Sequence, residues 1–357
     1  MLKSLLVAAA LLLASAPALA EGPTLKPGDP APALQVKQWV KGSPVKGFEK
    51  NKLYVVEFWA TWCGPCKRSI PHLTELANAN KDVTFIGVSV WENKQDDVAP
   101  FVEKMGEKMN YTVAMDDVPE GKKGNEGAMA KNWMTASGSG GIPTAFIVDK
   151  TGHIAWIGHP MEMEEPLKQV IAGKWDLAAY AKQKAEEDAL EEAGNQLGAE
   201  ITRAMKAKDN KAALAAMDAA FAKTPKLEKN FGPFKFKLLL DSKDYDGAYG
   251  YGAKLVDGTL KDESNQLNGI AWLIVNPEVK HEKRDLKLAL KAAERANELT
   301  KGKDFNVLDT LARVHFDSGN AAKAIEFQTQ AVELAKDNPD AQKELQDRLD
   351  EYKKGAH

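Results

Sequence analysis

The chain of 357 residues holds two cysteines, Cys63 and Cys66, with Gly64 and Pro65 between them. A thiolate is the nucleophile of disulfide exchange, and a second thiol at this spacing can resolve the mixed disulfide that forms. The same spacing is half of a zinc site. Structural zinc takes four ligands, however, and neither a second C-x-x-C nor a histidine pair follows. A purely structural bridge is the bland alternative. Six residues before Cys63 an acid, Glu57, interrupts an apolar run. A carboxylate buried there is costly unless neutralised or paired, so its pKa rises, and it then suits proton removal from Cys66, directly or through one water. The other reading of Glu57 is a strand residue that turns out to solvent or pairs with a lysine. Further candidates carry less. His72 reads as an exposed helix residue. The cluster His159-Pro160-Met161-Glu162-Met163 offers imidazole and thioether for Cu(I), but no second His/Met cluster completes a shell. The run Ser137-Gly138-Ser139-Gly140-Gly141 lacks the Lys-Ser/Thr and the preceding strand of a phosphate loop.

The elements around the cysteines decide which thiol attacks. Leu53 to Phe58 is short, apolar and β-branched, which predicts a buried strand. Lys67 to Asn80 places Ile70, Leu73, Leu76 and Ala77 at a helical period. The pair therefore sits at a strand-to-helix turn with Cys63 at the helix N-terminus. Unpaired N–H groups and the positive end of the dipole favour a thiolate there. Cys63 reads as the attacking thiolate and Cys66 as the resolving thiol. Further strands are expected at 83–90, 111–115 and 145–149, with helices at 96–109 and 128–134. Strands alternating with helices imply an α/β sheet with parallel members.

The residues Trp62-Cys63-Gly64-Pro65-Cys66 resemble the signature of the thioredoxin superfamily, and Gly141-Ile142-Pro143-Thr144 resembles its cis-proline loop. Lys150 to Ile154 is similar to the turn into its last hairpin. Lys26 to Pro32 is similar to the entry of the redoxin branch, which includes TlpA-like and ResA-like disulfide reductases of the bacterial envelope. The likeness covers roughly residues 25 to 172. It implies a cis Pro143 that sets the Ile142 backbone against the disulfide, where a substrate strand can pair, and that keeps metal off the dithiol. It also implies a docking surface of Trp62, Gly64, Pro65 and Ile142. No cofactor is implied beyond the redox-active Cys63–Cys66 disulfide, and no metal. Thioredoxins carry a buried aspartate where Glu57 stands. Related reductases often carry a glutamate three residues after the second cysteine, where this chain has Ser69, which leaves Glu57 as the only obvious acid or base of the motif. The Gly-Pro dipeptide and the apolar Ile142 suit a reductase of protein disulfides, recharged by a membrane electron donor. A peroxiredoxin-like peroxidase is the enzyme alternative, and the chain lacks that family's P-x-x-x-T-x-x-C arrangement.

Residues 1–20, with Lys3, an apolar run to Leu13 and Ala18-Leu19-Ala20, read as a cleaved secretory signal peptide. Retained, the segment would act as an anchor. Export places the protein in the periplasm or outside the cell, where disulfides persist, with no membrane span once the leader is gone. The formal charge is −3 and becomes −4 without Lys3, which argues against nucleic acid as a partner. The redox domain is assigned to 21–172. At 173–357 the texture turns to Ala, Lys, Glu and Leu at helical spacing. Ala213, Ala248, Ala289 and Ala324 recur at intervals of 35, 41 and 35 residues. This resembles tetratricopeptide helix pairs, so the fold class is an α/β thioredoxin-like domain followed by an all-α helical-repeat domain. An irregular helical bundle is the alternative. Such repeats present a surface for a protein partner, and an adaptor whose repeats are the main function is the competing role.

Overall fold

The structure, a computed structural model, describes residues 24–355. The leader expected at 1–20 lies outside the described residues. The chain forms two compact units, the first ending at Ala185 and the second beginning at Glu186. The sequence sets the end of the first domain at 172, and the structure carries the unit further for a definite reason. The indole N–H of Trp175 donates to the Ala155 carbonyl at 2.9 Å. The Tyr180 hydroxyl donates to the Ile157 carbonyl at 2.6 Å and accepts from the Ile157 N–H at 3.1 Å.

The first unit is built on six strands: β1 (Val36–Lys41), β2 (Leu53–Trp59), β3 (Val83–Ser89), β4 (Thr112–Asp116), β5 (Thr144–Val148) and β6 (Ile154–Gly158). Their order in the sheet is β1-β4-β3-β2-β5-β6. β2, β3 and β4 run parallel, and β1, β5 and β6 lie antiparallel to their neighbours. Every residue of the central β2 is buried. That fits an almost continuous apolar run, which a strand needs when both faces are covered. Alternate residues divide between the faces. Val55 and Trp59 join a core with Cys66, Ile70 and Leu73 of α1 (Gly64–Ala79). Tyr54, Val56 and Phe58 join the opposite core, with Trp133 and Phe146. By the two-residue period, Glu57 projects on the face that α1 covers.

Three elements depart from the pattern expected of them. The helix expected over 96–109 is α2 (Val98–Met105), flanked by 3-10 turns at Gln95–Asp97 and Gly106–Met109. Gly106, at φ +53, takes the left-handed backbone that ends it. The helix expected at 128–134 is a π-helical segment, Ala130–Thr135. The Asp116 carboxylate secures its entry by accepting from the N–H groups of Met129 at 2.7 Å and Ala130 at 3.0 Å. β1 has no clear signature, because it is only half covered and its register against β4 shifts twice. The unit's last short helix is α3 (Glu164–Ile171).

Beyond α3 the described residues contain helices and no strand. They run α4 (Leu177–Lys206), α5 (Asn210–Lys223), α6 (Glu228–Asp241), α7 (Tyr245–Lys254), α8 (Ser264–Val275), α9 (Leu286–Thr300), α10 (Phe305–Asp317), α11 (Ala321–Leu334) and α12 (Pro339–Lys354). The unit boundary falls within α4. The four alanines of the sequence period land on equivalent positions of α5, α7, α9 and α11. Each lies four residues after an N-cap: Asp209, Asp244, Asp285 and Asn320. Each cap side chain accepts from the N–H three residues on, and each alanine donates its own N–H to the cap carbonyl. All four alanines are fully buried. α6 packs on α8, α7 on α9 and α8 on α10, and adjacent helices from α5 to α12 pack pairwise except α7 with α8. A small residue at this turn of α5, α7, α9 and α11 suits close packing against the neighbouring helices.

Candidate active site at the start of α1

Cys63 and Cys66 are joined as a disulfide, with their Cα atoms 5.3 Å apart. Cys63 is the N-cap of α1, in an extended backbone conformation, and its Sγ accepts the Cys66 N–H at 3.1 Å. The local sequence explains this helix start. Pro65 lies in the first turn, where a missing N–H costs nothing. The sulfur of Cys63 thus takes a place that a serine or aspartate oxygen fills elsewhere. Gly64, Pro65 and Trp62 face solvent, the last with 51% of its surface exposed. Cys63 is only 3% exposed and Cys66 is fully covered.

The covering loop is the one around Pro143. The Ile142–Pro143 peptide bond is cis. The Ile142 carbonyl oxygen lies 3.6 Å from Cys63 Sγ, and the Thr144 hydroxyl closes the turn by donating to the Gly141 carbonyl at 2.8 Å. Pro143 itself is buried and Ile142 is partly exposed. The folding therefore brings Ile142 from residue 142 to the Trp62–Cys66 stretch, a juxtaposition that no local pattern could supply.

Glu57 neither turns to solvent nor meets a lysine. It is 1% exposed, and neither carboxylate oxygen has a hydrogen-bond partner. It pairs in register with Gly87 of β3 and Ala145 of β5. A Cβ at Gly87 would come within 2.9 Å of the Tyr111 ring, 3.2 Å of Trp59 Nε1 and 3.4 Å of Glu57 Oε2. The glycine is what lets these three side chains share the space over β3. Burial pushes the Glu57 pKa up to about 8. Tyr111 is driven well above the usual tyrosine range, first by burial and then by the charge of Glu57. Trp59 is fully buried, its ring tilted against that of Phe101 with centroids 5.2 Å apart, as a sheet-packing residue should be.

One carboxylate at the site had no distinguishing signal in the sequence. Glu92, just past β3, is buried, and its Oε1 accepts from the Thr61 N–H and from the Ser89 hydroxyl, both at 2.7 Å. Its Oε2 accepts from the Thr61 hydroxyl at 2.6 Å. An acid after a strand ordinarily reads as a solvated loop residue, and only the fold turns this one inward. Ser69, in the place of a reductase glutamate, donates to the Cys66 carbonyl at 3.1 Å. His159 is exposed and accepts the Met161 N–H on Nδ1 at 3.2 Å. Among the described residues no group of three His, Cys, Asp or Glu side chains is disposed to hold a metal ion.

The sequence pattern of the redoxin family matches residues 26–171. Protein FixW of Rhizobium leguminosarum is 34% identical over 159 residues, covering 42% of this chain and 67% of that protein. The thiol-disulfide oxidoreductase ResA of Geobacillus thermodenitrificans is 29% identical over 122 residues, covering 34% of this chain and 62% of that protein. Thioredoxin H-type of Ricinus communis is 39% identical over 104 residues, covering 28% of this chain and 84% of that protein. The helices from α4 onward lie outside the redoxin match. Through the domain that carries Cys63 and Cys66, the chain belongs to the redoxin family, within the thioredoxin superfamily of thiol:disulfide oxidoreductases.

Proposed function

We propose that the protein is an exported reductase of protein disulfides, with Cys63 as nucleophile, Cys66 as resolving thiol and the helical repeats as a surface that selects the partner. The observation that carries this reading is the placement of Cys63 Sγ at the helix N-terminus, 3.6 Å from the Ile142 carbonyl, with Glu57 buried on the same side of the sheet. In the dithiol form, the Cys63 thiolate attacks one sulfur of a substrate disulfide. The new S–S bond forms as the substrate bond breaks, and the other substrate sulfur leaves as a thiolate. Backbone groups of Ile142 line the approach, so an extended substrate segment pairs beside the sulfurs. Trp62 gives the flanking apolar contact.

Resolution follows when Cys66 loses its proton and attacks Cys63 Sγ. The 63–66 disulfide forms and the second substrate thiolate departs, so two electrons pass to the substrate. A carboxyl that titrates near the working pH is suited to take that proton. Glu57 returns it when the disulfide is next reduced and Cys66 leaves as a thiolate. An external dithiol, which we assign to a membrane electron donor, supplies those electrons. Export is supported by the leader pattern at residues 1–20. The partner role is supported by the repeated helix register, similar to tetratricopeptide pairs.

The test is capture with Cys66→Ser. Its mixed disulfide cannot be resolved, so substrate proteins should remain attached to Cys63 and be released by reductant. Capture by Cys66→Ser no greater than by a Cys63→Ser/Cys66→Ser control would sink the reading.

A further inference from the structure

A second buried carboxylate stands beside the dithiol and takes no part in the exchange described above. Glu92 grips both the N–H and the hydroxyl of Thr61, two residues before Cys63. The grip has company on either side. The Val90 N–H donates to the Trp59 carbonyl at 2.9 Å, and the Trp62 indole N–H donates to the Trp91 carbonyl at 3.0 Å. The end of β3 is thus laced to the stretch that leads into α1. That stretch is a tight turn, closed by the Cys63 N–H donating to the Ala60 carbonyl at 3.1 Å. Its two central residues are Thr61 and Trp62, the two that Glu92 and Trp91 hold.

The lacing segment is itself constrained. Trp91 has φ +56, a left-handed backbone unusual for a bulky side chain. A Cβ at Gly124 would fall 2.9 Å from the Trp91 backbone and from the Glu92 carbonyl, so another loop presses against it. A buried carboxylate is expensive, and three charge-assisted hydrogen bonds offset that cost. Two of the three go to one residue, which fixes its orientation as well as its position. A carboxylate that served only to join two loops would have no need to seize a single residue twice.

We propose that Glu92 is a positioning residue of the dithiol site. It holds the Ala60–Cys63 turn so that Cys63 Sγ stays at the Cys66 N–H and the exposed Trp62 ring stands fixed beside it for a protein disulfide. The proposal rests on the dithiol reading of the site. Ionisable groups on the elements around Cys63 include Cys66, Arg68 and His72 on α1, Glu57 on β2 and Glu92 after β3. A clean test therefore loosens the grip without changing any charge.

The experiment uses the reduced full-length chain and two variants, Thr61→Val and Glu92→Asp. The first removes one donor, and the second shortens the reach while keeping the carboxylate. Thr74→Val is the control, the same change at a buried threonine elsewhere in the unit. The Thr74 hydroxyl donates to the Lys108 carbonyl and accepts from the Asn110 N–H, far along α1 from Cys63. The first readout is the pH midpoint of Cys63 alkylation by iodoacetamide, with the labelled cysteine identified by mass spectrometry. The second is kcat/KM on a protein disulfide. In both grip variants the midpoint should move to higher pH as the helix terminus loses its hold on the sulfur. Their kcat/KM should fall about tenfold, the scale of a small misplacement of a reacting group. Thr74→Val should lower Tm and leave the midpoint in place. Grip variants that keep the wild-type midpoint, or a Thr74→Val that shifts it equally, would overturn the proposal. Because alkylation needs no substrate, a wild-type chain that turns over no protein disulfide would fail the dithiol reading separately from this one.

Discussion

Glu57 is where single-residue chemistry is most exposed to measurement. The folded protein keeps its proton until about pH 8, because burial penalises the charged form, while an unfolded chain releases it near the ordinary 4.5. Between those values the native state binds one more proton than the unfolded state. Stability must therefore fall as pH rises through that window, by up to about 1.4 kcal/mol per pH unit from this group, and level off above it. Glu57→Gln removes the titration. Its stability should match the wild type near pH 4, exceed it increasingly up to about pH 8 and keep a constant margin above that, measured by denaturant midpoints. Turnover on a protein disulfide should drop by roughly one to two orders of magnitude, within the usual contribution of one proton-transfer group. Unchanged turnover with lower stability would make Glu57 a structural residue. The two cysteines and this acid were legible because each is chemically conspicuous: a lone pair of thiols, and a charge inside an apolar strand. Glu92 was not, because its environment is made by Thr61 and Ser89, which lie 31 and 3 residues away in the chain.

Among the elements, those with a strong period were readable and those shaped by neighbours were not. β2 and α1 declare themselves by continuous and by helical apolar spacing, and both lie where their residues place them. β1 is half exposed, and its register shifts twice, so its pairing with β4 leaves little trace in its own residues. α2 stops early because Gly106 takes a backbone that the apolar pattern does not encode. The alanine period was readable for a different reason: all four alanines are fully buried at the same turn of α5, α7, α9 and α11, where a small residue suits close helix packing. Ala289→Leu should therefore destabilise the helical unit by about 1–3 kcal/mol, the usual cost of forcing extra methylenes into a packed site. Chemical unfolding followed by far-UV circular dichroism checks it. Equal stability would mean that the register of the caps, and not the size of the residue, sets the spacing.

At the scale of the whole molecule, the described residues include no helix long and apolar enough to cross a membrane. The division into two units was legible from the change in residue texture, but its place was not. Trp175 and Tyr180 look like ordinary members of a helical region until they are seen against β6. Tyr180 gives one hydroxyl to both the N–H and the carbonyl of Ile157, and Trp175 takes the carbonyl of Ala155. β6 is the last strand of its sheet, and these are the backbone groups that a further strand would use. Two aromatic side chains thus close a template for aggregation. A redox domain produced as residues 24–174 should for this reason precipitate or self-associate with rising concentration, while residues 24–185 should stay monodisperse, as light scattering can record. Its failure would be colloidal before it was thermodynamic: the shorter domain should still fold, and then stick to copies of itself along a strand left open.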